Sequence, residues 1–205
     1  WEANGGFLTQ SALDINGRTL KALPTRDSVL PLICALLLAI REGKSLLQLV
    51  ETIPKRFTHA DRLKEFPTEI GRAIVKALSP EDQNIERVRF DDKITIIYKE
   101  ANGEEISKTD SLGEELGKKE TIEKTYFAPQ GFDKIAAMIF IDGVRIIFRN
   151  GDVIHFRPSG NAPEFRCYSN ADSPKRAEEI VRLGLDCIVP KIRSDLETKI
   201  SMSLL

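Results

Sequence analysis

Arginine, serine, glycine and asparagine crowd into seven residues, RPSGNAP, at positions 157 to 163. Strand-forming residues flank them, VIHF before and EFRCY after. A tight hairpin needs only two residues of the Asn-Gly kind, so a longer connection with this many donors invites a chemical reading. Arg157 presents a planar fork that suits phosphate or carboxylate. Ser159 offers a hydroxyl and Asn161 an amide. Gly160 permits an unusual φ and a close backbone approach, and the N–H groups around Gly160, Asn161 and Ala162 could converge as an anion nest. Pro158 and Pro163 stiffen both ends and reduce the entropy lost on binding. Each hydrogen bond to a charged partner contributes about 1.5–3 kcal/mol, so three or four suffice for a roughly micromolar phosphate site. The plain alternative is a rigid surface turn whose arginine pairs with a carboxylate such as Glu164.

Several elements must hold this turn. The run DGVRIIFRNGDVIHFRPS reads as a hairpin about Asn150-Gly151, with Arg149 opposite Asp152 and Phe148 opposite Val153. EFRCYSNA is the next strand. SPKRAEEIVRLGLDCIVPKI is a helix with Ser173 as cap and Pro174 at its first position. PTEIGRAIVKALS places Ile70, Ile74, Val75 and Leu78 at helical spacing, and DKITIIYKE is a strand followed by a turn at Asn102-Gly103. RFTHADRLKEF is weakly strand-like, and the acidic stretch from Glu100 to Glu120 reads as solvated loop or frayed helix. Helices over a small antiparallel sheet make this an α+β arrangement.

The first 55 residues read differently. After an opening loop, Asp27 or Thr25 caps a helix through SVLPLICALLLAIREG, with Pro31 tolerated near its start and Gly43 as its stop. That helix is apolar nearly all round, which calls for burial against more protein than these residues supply. SLLQLVETI gives a second helix, ended by Pro54. A boundary near residue 55 separates this part from 56–205.

Composition narrows the partners. The chain has 205 residues, 41% hydrophobic and 30% charged, with 30 basic against 31 acidic side chains and a net charge of −1. A nucleic-acid binder usually carries a basic excess, so no nucleic-acid partner is expected. Cys34, Cys167 and Cys187 are far apart and show no metal-binding spacing, which fits reduced cysteines in a cytoplasmic setting. The longest apolar run, VLPLICALLLAI, is too short to span a bilayer. The opening WEANGGFL reads as the interior of a longer polypeptide.

RPSGNAPEFRCY resembles the phosphate-binding loop in the last domain of the α-D-phosphohexomutases, the family of phosphomannomutases, phosphoglucomutases and phosphoglucosamine mutases. Its usual form is Arg-x-Ser-Gly-Thr-x-Pro or Arg-x-Ser-Asn-Thr-x-Pro after an Asp-Gly-Val/Ile strand, and DGVRIIF (Asp142 to Phe148) matches that strand. WEANGGF is similar to the family's sugar-recognition loop, and PTRDSVLPLICALL to the helix that follows it. The resemblance implies the tail of a third α/β domain at 1–55, followed by a fourth domain at 56–205 with a TATA-binding-protein-like α+β fold. It implies an intramolecular phosphotransferase that interconverts hexose 1-phosphate and hexose 6-phosphate, of mannose or glucose, through a phosphoserine in another domain. A magnesium ion held by another domain and a hexose 1,6-bisphosphate intermediate belong to that chemistry. Neither the serine loop nor the Asp-rich metal loop is found in these residues, so this chain is expected to recognise substrate rather than transfer phosphoryl groups by itself.

Residue by residue, the resemblance gives Arg157, Ser159, Gly160 and Asn161 the non-reacting phosphate, with Arg166 adding positive potential or pairing on the strand surface. Glu2 would take vicinal sugar hydroxyls, and Asn4 stands where the family has serine. Asn161 replaces the usual threonine, and Trp1 and Gly6 depart from the ends of the sugar loop, which leaves the choice of hexose open. His155 reads as a half-buried strand histidine. Ser159, His155 and Asp152 lie too close together along one strand and turn to converge as a hydrolase triad. The rival reading is a non-catalytic α+β module that binds an anion, a protein carboxylate or nucleic acid.

Overall fold

The computed structural model describes residues 7–9, 11–90, 94–99, 105–108 and 113–203. The chain divides into two compact units, Trp1–Lys55 and Arg56–Leu205.

In the first unit, β1 (Phe7–Thr9) pairs antiparallel with β4 (Leu23–Asp27), and β2 (Leu13–Ile15) with β3 (Arg18–Leu20). Strands therefore occupy what reads in the sequence as an opening loop. Asn16 and Gly17 take φ of 53° and 74° at the β2–β3 turn, both left-handed as a type I′ hairpin requires. Helix α1 (Val29–Glu42) follows. The Asp27 carboxylate accepts from the N–H of Val29 at 2.7 Å and of Leu30 at 3.2 Å, and Gly43 closes the helix at φ 62°. Helix α2 (Leu46–Glu51) starts with a reciprocal Ser45–Gln48 cap. Ala39 is the one buried residue of α1. Leu32, Leu37 and Ile40 are 64%, 59% and 77% exposed, so the apolar helix is left uncovered.

The second unit is built on an eight-stranded sheet of antiparallel pairs, in the order β5-β12-β11-β10-β9-β6-β7-β8. Its strands are β5 (Phe57–Lys64), β6 (Ile85–Phe90), β7 (Ile94–Lys99), β8 (Glu105–Lys108), β9 (Ile135–Ile139), β10 (Val144–Phe148), β11 (Val153–Pro158) and β12 (Glu164–Ala171). The weakly strand-like segment thus becomes a full edge strand. The acidic stretch contributes β8 and then helix α4 (Gly113–Ile122), where loop or frayed helix is expected from its composition. The Asn102-Gly103 turn lies outside the described residues.

Helices α3 (Thr68–Leu78), α5 (Pro174–Leu183) and α6 (Val189–Ser203) pack on one face of the sheet. Alternation places Val144, Ile146 and Phe148 of β10, Ile154 and Phe156 of β11, and Phe165 and Cys167 of β12 in this core. Ile74 and Leu78 of α3 and Ile180 of α5 meet them with no exposed surface. Each such side chain contributes about 1.5–3 kcal/mol on burial. Ser173 caps α5 by accepting from Arg176 N–H at 3.2 Å, with Pro174 at the first position. Between α5 and α6 the helix widens over Gly184–Ile188, where a side chain on Gly184 would come within 2.9 Å of Ile154 Cδ1.

The β10–β11 hairpin departs from the expected register by one residue. Val153 faces Ile147, not Phe148. Gly151 N–H donates to Phe148 O at 2.9 Å, and Gly151, at φ 85°, alone of the turn residues is left-handed. The Asn150 side chain explains why. Its Oδ1 accepts from Asp152 N–H at 3.0 Å and its amide donates to Asp152 Oδ2 at 2.9 Å, holding Asn150 out of the left-handed region. The result is a turn followed by a single-residue bulge, and Phe148 points into the core at 1% exposure.

Candidate functional site

The turn at 159–163 joins β11 to β12 at the end of the sheet nearest α3. Ser159 N–H donates to Glu164 O at 2.9 Å, Glu164 N–H to Ala162 O at 2.8 Å, and Phe66 N–H to Pro163 O at 2.8 Å. These bonds close the turn and tie it to the segment entering α3. Gly71 of α3 sits so close that a Cβ there would lie 3.0 Å from the Phe165 ring and 3.3 Å from Pro158 Cβ. The turn therefore rests on packed core at both ends.

Ser159 is 5% exposed, and its Oγ accepts from Asn161 N–H at 3.4 Å. The hydroxyl proton remains to donate. Among the described residues no acceptor in the protein meets the N–H of Gly160 or Ala162. One expectation is corrected: Gly160 is not among the left-handed residues. Its use is space, since a Cβ there meets nothing within 4 Å. Asn161 N–H folds back on Ser159, so two of the three candidate nest N–H groups remain open.

Arg157, one residue before the end of β11, lies on the sheet face opposite the helices, and its partner is Asp142 rather than Glu164. Arg157 Nε lies 3.0 Å from Asp142 Oδ2, with the two side chains 40% and 59% exposed. Glu164 instead pairs with Arg62 Nε at 3.2 Å and with Arg166 Nη2 at 3.2 Å. Because Asp142 takes Nε, the two Nη groups of Arg157 are left to face a ligand. Arg166 sits directly across from Arg157 on β12, already held by Glu164. Arg157, Ser159, Gly160 and Asn161 are thus gathered on one turn, with Arg166 beside it. Glu2 and Asn4 lie outside the described residues.

Asp142 and Gly143 escaped assignment, although the Asp-Gly pair before a strand marks them. Gly143 has φ 82°, and a Cβ on it would lie 2.1 Å from Phe156 O. Only glycine lets this turn press against β11. His155 Nε2 meets Asp142 O at 2.6 Å and so holds the same turn. Burial lowers the His155 pKa, and Arg145 and Arg157 add to this against the opposing pull of Asp142. A neutral imidazole donating from Nε2 fits that contact. Asp152 is engaged with Arg176 Nε at 2.8 Å, so Ser159, His155 and Asp152 form no relay.

A groove of about 500 Å³ runs beside the turn, lined by Arg72, Val75, Lys76, Asp142, Gly143 and Pro158 among others. Among the described residues no cluster of three His, Cys, Asp or Glu side chains could hold a metal ion, and no helix is long and apolar enough to cross a membrane. The arrangement can hold a dianion by a guanidinium, a hydroxyl and backbone N–H groups, next to a groove with room for the body of a small polar molecule.

Residues 114–182 match the family described as phosphoglucomutase/phosphomannomutase, C-terminal domain. That span contains the Asp142-Gly143 turn, the hairpin, the 159–163 turn and all but the last residue of α5. A phosphomannomutase of Salmonella muenchen is 33% identical over 193 residues, covering 94% of this chain and 32% of that protein. A phosphomannomutase of Sinorhizobium fredii (strain NBRC 101917 / NGR234) is 30% identical over 185 residues, covering 90% of this chain and 31% of that protein. The chain spans about a third of the length of the curated relatives it matches.

Proposed function

Since the chain belongs to the phosphohexomutase family, in its C-terminal part, we propose that it supplies substrate recognition to an enzyme that interconverts hexose 1-phosphate and hexose 6-phosphate. The carrying observation is the 159–163 turn. Arg157 is oriented by Asp142 with both Nη groups open, beside the Ser159 hydroxyl and the unengaged N–H groups of Gly160 and Ala162. This set takes the phosphate that is not reacting, with Asn161 and Arg166 at its margin. In this reading 56–205 is the fourth, phosphate-binding domain and has the TATA-binding-protein-like fold. Residues 1–55 belong to the third domain and carry sugar recognition through Glu2 and Asn4.

Mannose 6-phosphate and mannose 1-phosphate are the substrates that the relatives' names support first, with the glucose phosphates second. Holding the distal phosphate in a rigid cradle places the reacting hydroxyl. Phosphoryl transfer draws much of its rate from such positioning. The phosphoryl-donating serine and the magnesium ion belong, on this proposal, to polypeptide beyond these residues, as does the hexose 1,6-bisphosphate stage of the reaction. In this reading the part of these residues is to bind and orient. A cytoplasmic location accords with three unpaired cysteines.

The test is an NMR titration of the chain with inorganic phosphate and mannose 6-phosphate. Resonances of 157–162 should shift at millimolar ligand, and Arg157→Ala should remove the effect. Loss of two charge-assisted bonds weakens binding by at least roughly tenfold. No shift in 157–162 at millimolar phosphate would overturn the assignment. In the whole enzyme, Arg157→Ala and Ser159→Ala should lower kcat/KM.

A further inference from the structure

The helices cover one face of the eight-stranded sheet; the other face gathers arginines. Directly paired residues of antiparallel strands point to the same side, so the register alone lays out its rungs. One rung runs Arg157, Arg166, Arg62 across β11, β12 and β5. The next runs Arg87, Ile139, Arg145, His155, Tyr168 and Ala60 across six strands. Neighbours along a rung are about 4.8 Å apart, and the rungs are about 7 Å apart. Lys64 lies on the same side, opposite Glu164. Glu164 projects from this face on β12, Asp61 lies at its β5 edge, and Asp142 stands at the border. The chain as a whole is near neutral, so this face is a strong local excess of positive charge that the fold creates and the composition hides.

Two further features give the face a shape. Tyr168 and His155 lie side by side, ring centroids 5.7 Å apart and 34° from parallel, in the middle of the arginine rungs. A shallow groove of about 410 Å³ follows β5 and β12, lined by Ala60, Asp61, Arg62, Lys64, Arg166 and Tyr168. At the other end of the long rung stands Arg87.

From this juxtaposition we infer that the open sheet face binds single-stranded nucleic acid, with phosphates along the arginine rungs and bases on the Tyr168–His155 platform. Sequence-tolerant binding of single strands needs a cationic track with aromatic rings set into it. An antiparallel sheet that exposes such rings stacks splayed bases. A duplex does not suit this face, because its major groove admits a protruding helix or ribbon rather than a broad sheet. Inorganic polyphosphate would use the arginines but leave the rings idle. The first rung shares Arg157 and Arg166 with the proposed phosphate site, but the long rung from Arg87 to Ala60 needs neither these nor the 159–163 turn, so single-strand binding along it stands apart from the phosphohexomutase reading.

The experiment titrates the chain into a fluorescein-labelled oligouridylate of about twelve nucleotides, a length within the usual single-strand site sizes, and follows anisotropy. Binding at about 50 mM salt should be on the order of micromolar and should weaken steeply by about 200 mM. Arg145→Glu and Arg62→Glu should each weaken it by about tenfold and flatten the salt slope by about one. Tyr168→Ala should weaken it by roughly 5- to 100-fold, with Tyr168→Phe close to the parent and Ser159→Ala unchanged. Circular dichroism verifies that each variant is folded. Should Tyr168→Ala not fold, the exposed Arg145→Glu together with competition by duplex and polyphosphate decides. No anisotropy change would overturn the inference. So would duplex or polyphosphate binding as tightly as the single strand.

Discussion

Arg157 Nε and Asp142 Oδ2 lie 3.0 Å apart across the edges of two neighbouring strands. Asp142 does two opposing things there. It aims the guanidinium, and it competes for the positive charge that a phosphate would use. An exposed pair of this kind stabilises by about 0.2–1 kcal/mol. Asp142→Asn should therefore leave the fold intact and tighten phosphate binding by up to about fivefold at low salt, read by NMR or calorimetric titration. Weaker binding in this variant would mean that aiming outweighs competition.

Gly143 carries the second prediction. Its φ is 82°, and the 2.1 Å that would separate an alanine Cβ from Phe156 O leaves no room for a methyl group. Gly143→Ala combines left-handed strain of about 1–2 kcal/mol with a backbone clash. Urea unfolding should show a loss of about 3 kcal/mol or more. Because the turn must retreat from β11, Asp142 leaves Arg157, and the His155–Asp142 contact opens as well.

His155 makes stability pH-dependent. Burial lowers its folded-state pKa below the unfolded value, so the folded protein favours the neutral ring. The stabilisation is fully present above the unfolded pKa of about 6.5 and is lost as pH falls through the lower folded value. Thermal unfolding followed from pH 8 to pH 5 should show a falling Tm for the parent below about pH 6.5. The fall should be shallower for His155→Gln.

Asp152 and Arg176 form a largely buried ion pair, with side chains 5% and 22% exposed and Nε 2.8 Å from Oδ2. The pair fastens the β10–β11 turn to α5, and Arg176 also lies over the Phe132 ring at 5.2 Å. Asp152→Ala removes one of the two carboxylates that hold Arg176, Glu179 remaining at 2.8 Å, and takes the acceptor from the Asn150 amide while the backbone N–H of residue 152 still reaches Asn150 Oδ1. Denaturant titration should show a cost of about 1–3 kcal/mol.

The cysteines should differ sharply toward iodoacetamide. Cys34 is exposed on α1, whereas Cys167 is fully buried, and burial pushes its thiol pKa far up. Mass spectrometry of the native protein should find Cys34 alkylated and Cys167 untouched. Rapid modification of Cys167 would mean that the core around Gly184 opens in the native state.

Local chemistry is what the amino-acid string determines here. The Asp27 cap, the Gly43 stop, the Ser173-Pro174 helix start and the strand at 164–171 are decided within a few residues, so they are legible along the chain. So is the gathering of Arg157, Ser159, Gly160 and Asn161 on one turn, because they are neighbours in sequence. Two Asn-Gly pairs show where local reading stops. Asn16-Gly17 takes both left-handed conformations. Asn150-Gly151 does not, since the Asn150 side chain closes on Asp152, and Asp152 is held by Arg176 from a helix formed later in the chain. That one-residue change of register decides which side of the sheet each residue faces. Only the tertiary structure could choose Asp142 over Glu164 for Arg157, or line up Arg62, Arg145 and Arg166 on one surface, because those contacts depend on strand order and pairing between segments far apart in sequence. Composition averages charge over the whole chain, whereas a sheet sorts it by face.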